Sequence, residues 1–466
     1  MDNKTGGYIS KMTFNSMDSI ELSPNDIVVF VGPNNAGKSQ SLKDIFELAK
    51  EKKPTVVISD IEIIKYDNPI KQLLDRISTE DNKGSFSQYN VLGHLVSLMN
   101  KMDSFHLKDT QFGDFRDVII VNMDTETRLS ISNPPVNIKR DASKLHPIHY
   151  AAYDSMYRKW LSNSFKKAFN AELIPNTQFG SQIPLCIGES VHLEQKEYED
   201  AQAYLEAYAS ILEKYRQVQN QGDGIRSFTG ILLYLMLDYY CIYLIDEPES
   251  FLHPPQARIM GQIIGNTLSK QQQAFISTHS EEIIKGLLET CPERLKIIRI
   301  TREDDTNYFS VLTNESFSQI WTDPLLKHSN IMSSLFHKTV VLCESDSDCQ
   351  MYSIIENYIK QSEGKYSEAL FIHCGGKHRM KKIIKALKSL NVNIKVVTDI
   401  DVLDDENVFK EIVEAFSVDW NLIEKGYKII VSSLHKPSTD IERMTTQKDI
   451  DSIFEKSKDK FLLLPQ

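Results

Sequence analysis

No run of apolar residues in this 466-residue chain approaches the roughly 18 that a membrane-crossing helix needs, so the sequence offers no candidate span. Cysteine pairs at metal-binding spacing are missing too. Cys186, Cys241, Cys291, Cys343, Cys349 and Cys374 form no C-x-x-C motif, and several sit in apolar strand-like runs where a free thiol is a small hydrophobe; neither zinc nor disulfides are expected. Met1 to Gly7 lack the apolar core of a secretory signal, which makes the cytoplasm the expected compartment. Nor is there an excess of positive charge: the formal net charge of −11 argues against a general nucleic-acid coat and leaves room only for a local basic groove. What remains is an ordinary globular composition, 41% hydrophobic and 25% charged, in a chain longer than one core usually supports, so two or three domains are expected.

Against that background one stretch stands out. Gly32-Pro33-Asn34-Asn35-Ala36-Gly37-Lys38-Ser39 fills every fixed position of G-x-x-x-x-G-K-[ST], the Walker A phosphate loop. Asp26 to Val31 before it reads as a buried strand, and Leu42, Ile45, Phe46 and Ala49 after it recur at helical spacing. In that arrangement backbone N–H groups face the phosphates of ATP, Lys38 reaches the β- and γ-phosphates, and the Ser39 hydroxyl ligates magnesium.

Residues 54 to 220 carry no motif. Strand-like pieces, Asp117 to Asn122 and Arg128 to Ser132, alternate with a helical piece from Tyr153 to Phe169, and about 195–221 reads as one amphipathic helix with a tyrosine stripe suited to packing. Gln221 to Ser227 is a second glycine-rich turn opening a helix. Cys241 to Glu249 is an apolar strand ending in acids, the Walker B pattern, with Asp246 expected on magnesium and Glu247 on the attacking water. Ala274 to Ser280 is a further buried strand with His279 at its C-terminal end, where α/β sheets place ligands.

These motifs, in this order, resemble the ATPase head of the ABC superfamily in the branch containing RecF and SMC proteins, with Glu249 to Pro254 resembling its D-loop. The resemblance implies that His279 takes part in catalysis. It also implies that Gly222 to Ser227, including Gly224, Arg226 and Ser227, is the signature segment meeting the nucleotide held by an opposite subunit, hence a homodimer or higher homo-oligomer through the heads. Gln72, Gln88 and Gln111 all remain open as the Q-loop glutamine.

A second unit follows the strand-like stretches 294–300 and 308–312. After a helix around Asn330 to His337, Lys338 to Glu344 is a strand ending in an acid, and Ile394 to Asp401 is another ending in D-x-D. Strands and helices alternate, so a parallel sheet is expected, and its shared C-terminal edge would gather Glu344, Asp399 and Asp401. Clustered carboxylates repel unless hard cations neutralise them, which points to magnesium or manganese and phosphodiester chemistry. The plain alternative is a set of strand-end caps beside the acidic run Asp401, Asp404, Asp405 and Glu406. Lys377, Arg379, Lys381, Lys382, Lys385 and Lys388 form a basic helix able to hold a nucleic-acid backbone.

This part resembles a Toprim domain, with Asp348 where related nucleases carry a further acid and Ser345 where glycine is usual. An ABC-type ATPase followed by Toprim is the layout of the overcoming lysogenization defect (OLD) family, which includes the larger Gabija nuclease subunit. That resemblance implies a basic residue late in the domain, for which Lys436 is the candidate. The expected fold is thus α/β: an ABC-type head over 1–334, with inserted helical and mixed lobes at 54–220, then a Toprim-like domain over 335–466. The expected function is an ATP-regulated, metal-dependent endonuclease acting on DNA in anti-phage defence, possessing a partner protein or nucleic acid and no membrane association. The alternatives are an ATPase scaffold with a degenerate Toprim domain and a RecF-like repair ATPase, the latter without sequence support for long coiled-coil arms.

Overall fold

The computed structural model describes residues 5–78, 80–83, 86–92, 94–99, 111–312, 330–434, 447–448 and 451–452. Its centre is a six-stranded sheet in the order β6-β5-β1-β4-β3-β2: β1 is Ile27–Val31, β2 Ile120–Met123, β3 Ile242–Asp246, β4 Gln273–Ser277, β5 Leu295–Glu303 and β6 Thr306–Leu312. β1 to β5 pair in parallel, and β6 returns antiparallel along β5. Every side chain of β1 is buried, which explains its unbroken apolar run: a parallel strand covered on both faces has no wet side to alternate with. The register sets Asp246 beside Ser277 and Ser277 beside Phe30, so the ends of β1, β3 and β4 share one edge.

Helix α1, Lys38–Lys50, buries Leu42, Ile45, Leu48 and Ala49. Asp44 on the same helix accepts the N–H groups of Val57 and Ile58 at 2.6 and 3.0 Å, tying α1 to an antiparallel sheet of Ser19–Glu21, Gly7–Phe14 and Ile58–Lys65. The six cysteines are free and buried, and no helix among the described residues is long and apolar enough to cross a membrane.

The intervening section corrects three expectations. Arg128 to Ser132 is not a strand: Arg128 to Ile131 belong to α2, Thr125–Ile131, and Ser132 is its C-cap, because Asp124 caps the helix by accepting the Thr127 N–H and because the Arg128 side chain is fully buried. Asp117 to Asn122 splits into a helical turn, Arg116–Ile119, and β2. The single long helix is only Ala201–Leu212. Asp200 caps its start, and Arg216–Gln217 leaves it to pair with Cys186 and Ile187 in a small sheet, on which Leu212, Tyr208 and Tyr215 pack. Helix α3, Asp223–Leu235, then leads to β3.

Beyond the described stretch ending at Leu312, a 3₁₀ turn at Met332–Phe336, rather than the expected helix, enters a parallel sheet in the order β8-β7-β9: β7 is Thr339–Cys343, β8 Ala369–His373 and β9 Asn393–Val397. Helix α4, Asp346–Ser362, connects β7 to β8, and α5, Met380–Ser389, connects β8 to β9 while burying Met380, Ile383, Ile384, Ala386 and Leu387. The fold is α/β in both parts: a larger unit built on the six-stranded sheet, followed by a smaller parallel-sheet domain.

Candidate functional site

β1 delivers the chain to Gly32, whose φ is 142° and where a Cβ would lie 2.1 Å from the carbonyl oxygen of Ile300, so the position tolerates only glycine. Pro33 and Ala36 are buried while Asn34 and Asn35 are exposed, and Asn307 Nδ2 donates to the Ala36 carbonyl at 2.7 Å. Gly37 occupies the N-cap of α1 without a side-chain cap, leaving the first-turn N–H groups for an anion. Lys38 is buried, and its Nζ donates to the carbonyls of Gly32 and Pro33 at 2.9 and 2.8 Å. Burial pushes its pKa down to about 8, against the opposing pull of Glu247, Glu249 and Asp246. Ser39 stands half-buried in the first turn. A cavity of about 810 Å³ opens beside the loop, lined by Pro33 to Ala36 and by Arg299, Thr301 and Arg302 of β5.

Across the sheet edge, Asp246 accepts a hydrogen bond from the Ser277 hydroxyl. Glu247 has φ 47°, a conformation that costs a non-glycine residue on the order of 1–3 kcal/mol and persists only where surroundings enforce it. Its Oε1 lies 3.6 Å from His279 Nε2. Burial lowers the His279 pKa, with nearby Lys38 adding to the effect against Glu247 and Asp246, which favours the neutral imidazole. Glu249 reaches behind this pair: its Oε1 accepts the His279 N–H at 2.6 Å, and burial raises its own pKa. The phosphate loop, Asp246, Glu247 and His279 therefore lie together at one edge of the sheet.

The signature segment is divided. Gly222 and Asp223 are exposed at the tip of α3, Gly224 is half-exposed, and Arg226 bonds to Asp223 and to the carbonyl of Leu129. Ser227 corrects the expectation: one turn inside the helix it is fully buried, and its hydroxyl accepts from Arg128 Nε at 3.0 Å, out of reach of a nucleotide on another subunit. The glutamine candidates also lie elsewhere. Gln72 lines a cavity at Tyr239 to Cys241, the opposite end of β3; Gln88 sits in the strand Phe86–Val91; Gln111 is buried beside Phe112, whose N–H bonds Ala49 near the far end of α1. Sequence reasoning missed Arg128, which touches the carbonyls of both Asp246 and Glu247. Its visible signal was the helix cap Asp124-x-x-Thr127 just ahead of it.

In the second domain, β7 and β9 are parallel neighbours with Cys343 beside Val397, so Glu344 and the segment holding Asp399 and Asp401 leave the same edge. One carboxylate oxygen from each of Glu344, Asp399 and Asp401 lies within 4.8 Å of the others. Glu344 Oε2 is buried with no hydrogen-bond partner, and an all-oxygen donor set of this kind suits a hard divalent cation. Lys377 Nζ donates to Asp401 Oδ2 at 2.8 Å, an ion pair that raises the lysine pKa. Asp348 is not a member of the cluster: it closes a capping box at the start of α4, accepting from Ser345 N and Oγ at 2.9 and 2.8 Å. Lys436 lies outside the described residues. In the basic run Lys381 pairs with Glu411, Lys388 donates to the Phe416 carbonyl and Ser417, and the Lys385 side chain is exposed.

Two segments of the chain match known protein families. Residues 335–401 match the TOPRIM domain of the overcoming lysogenization defect protein-like family, and residues 188–285 match an AAA domain family described as putative AbiEii toxin, type IV TA system. Protein ea59 of Escherichia phage lambda is 27% identical over 168 residues, 34% of this chain and 30% of that protein. Old nuclease of Escherichia phage P2 is 21% identical over 169 residues, 35% of this chain and 28% of that one. The matches thus span less than a third of these relatives' length. Among solved structures, an Smc head bound to the C-winged helix domain of ScpA aligns with 67% of this chain and 100% of its own at 16% identity and a TM-score of 0.38. The chain thus carries, in order, a phosphate-loop unit with a segment that matches an AAA domain family and a parallel-sheet unit with a segment that matches the OLD-like TOPRIM family.

Proposed function

We propose that this chain hydrolyses ATP at the phosphate loop and cleaves nucleic acid, DNA foremost, at the Glu344–Asp399–Asp401 cluster, with the nucleotide state controlling cleavage. One observation carries the reading: three carboxylates from two adjacent strand ends face one another within 4.8 Å, with Glu344 Oε2 buried and unpartnered. Such a concentration of negative charge is unfavourable without a cation. A magnesium or manganese ion held there would supply Lewis-acid activation of water and stabilisation of the leaving oxygen. Glu344, Asp399 and Asp401 would hold it, and Lys377 orients Asp401. At the other site Lys38 and the α1 N-terminus receive the phosphates of ATP, Ser39 and Asp246 would hold magnesium, Glu247 accepts the proton of the attacking water, and His279 borders Glu247.

The exposed tip Gly222 to Gly224, with open space around Gly222, suits a meeting with the nucleotide of a second copy, so the working form is a homodimer or larger homo-oligomer. We assign the two units to about 1–334 and 335–466, and the protein to cytoplasmic anti-phage defence with a partner protein or nucleic acid as trigger. The similarity to a protein named Old nuclease supports the nuclease reading. The test is plasmid cleavage with magnesium or manganese, with and without ATP: Glu344→Ala should abolish it while ATP hydrolysis stays within about twofold of wild type. Absence of any cleavage that Glu344→Ala eliminates would leave an ATPase scaffold with a degenerate Toprim domain, a reading favoured by Lys377 already occupying Asp401.

A further inference from the structure

Arg128 has no solvent exposure and is the bulkiest fully buried side chain among the described residues. A guanidinium removed from water is costly unless its donors are met, so its partners reveal its role. Nε donates to Ser227 Oγ at 3.0 Å, Nη1 to the carbonyls of Met123, at 3.0 Å, and of Asp246, and Nη2 to Thr125 Oγ1 at 3.3 Å and the Glu247 carbonyl at 3.4 Å. One side chain therefore joins the end of β2, the start of its own helix α2, the acidic end of β3 and helix α3. The contact is close in the backbone as well: a Cβ on Gly230 of α3 would lie 2.2 Å from the Arg128 carbonyl oxygen. Glu247, whose carbonyl Arg128 holds, is the residue in the left-handed conformation.

We propose that Arg128 is a positioning residue for ATP hydrolysis, linking Ser227, one turn inside the exposed tip of α3, to the backbone of Asp246 and Glu247, so that engagement of that tip by a second copy sets the aim of the Glu247 carboxylate. The inference rests on the ATPase reading above. Arg128 itself is fully buried, and the partners seen for it are protein groups. It enforces the strained backbone of the residue that acts on water, and it is the path by which α3 reaches that backbone.

The experiment compares wild type, Arg128→Lys, Ser227→Ala and Ser227→Thr in the full chain. ATP-analogue binding, KM, kcat across protein concentration and thermal unfolding are measured for each. A lysine keeps the charge but cannot serve Ser227 and two carbonyls together, so Arg128→Lys should lower kcat about tenfold or more with KM within about twofold. Ser227→Ala, which removes only a hydroxyl, should lower kcat several-fold and blunt its rise with protein concentration, and Ser227→Thr should restore both. A folded Ser227→Ala protein with wild-type kcat and concentration dependence overturns the inference, as does loss of ATP binding in parallel with kcat. A wild-type protein that binds ATP without hydrolysing it defeats the ATPase reading itself, and the inference with it; measurable wild-type turnover separates the two failures.

Discussion

ATP affinity should fall roughly eightfold between about pH 7.5 and about pH 9, because Lys38 must be charged to receive the phosphates. In the free protein burial holds its pKa at about 8, below the ordinary 10.5. Bound phosphates favour the ammonium and return the pKa to its ordinary value or above. The sign follows from proton counting. Well below pH 8 the ammonium is present both free and bound and affinity is flat; between 8 and 10.5 binding must take up a proton, and affinity drops by up to about tenfold per pH unit. The charged fraction in the free protein is about three quarters at pH 7.5 and about one tenth at pH 9, and their ratio is the expected loss. The terminal phosphate contributes little, since its second pKa is about 6. Titration with a non-hydrolysable ATP analogue and magnesium measures the affinity, and calorimetry near pH 8.5 in two buffers of different ionisation enthalpy should show uptake of about 0.75 proton. A flat affinity over this range, or the same slope in Lys38→Met, would refute the assignment.

Glu247→Gln keeps the backbone contacts but loses the proton acceptor, so analogue affinity should stay within about twofold while kcat falls by roughly 10² or more; equal loss of binding would contradict the role. Arg299 lies on β5, beside the phosphate-loop strand, and its Nη1 and Nη2 donate to the carbonyls of Asn391 and His337, just ahead of β9 and β7. Arg299→Gln should therefore lower the melting temperature and weaken the ATP dependence of cleavage, with ATP hydrolysis within about twofold of wild type; a well-folded variant whose cleavage still follows ATP would count against that link.

What was legible in the sequence was whatever backbone chemistry restricts to a few residue types. The phosphate loop needs glycine where Ile300 crowds Gly32 and a cation at Lys38, so residue identity and spacing together specify it. Strands ending in acids were equally readable, because a parallel strand is apolar throughout and its first polar residue marks the edge. Arg128 to Ser132 misled because Leu129 and Ile131 alternate with polar neighbours over too short a run to separate two periods. The helix there is decided by the Asp124 cap and by a buried arginine whose partners lie on α3 and β3. Ser227 was hidden for a related reason: the glycine-rich turn announces where α3 starts but not which face α2 will cover. Asp348 had the spacing of a ligand, yet Ser345-x-x-Asp348 is also a capping pattern, and the local hydrogen bonds took it. The long helix failed where two residues, Arg216 and Gln217, found a strand partner.

The two sites share a construction and differ in who supplies the positive charge. Each gathers acids at the C-terminal edge of parallel strands, Asp246 and Glu247 from β3 in one case, Glu344 and Asp399 with Asp401 from β7 and β9 in the other. At the first, Lys38 and Arg128 are both buried within electrostatic reach of Asp246, Glu247 and Glu249. Their side chains are fixed by backbone carbonyls and hydroxyls, so the negative charge is largely balanced before any ligand arrives. At the second, Lys377 is the cation the described residues bring into direct contact with the cluster, and it pairs with Asp401 at a partly solvated position. Glu344 Oε2 is left buried without a partner. Preset charge makes the first geometry depend on packing, chiefly on Arg128. If the cluster holds a cation as proposed, its unbalanced charge makes the second geometry depend on that cation, so metal affinity there should respond to any movement of β7 against β9, the two strands whose approaches Arg299 holds from the six-stranded sheet.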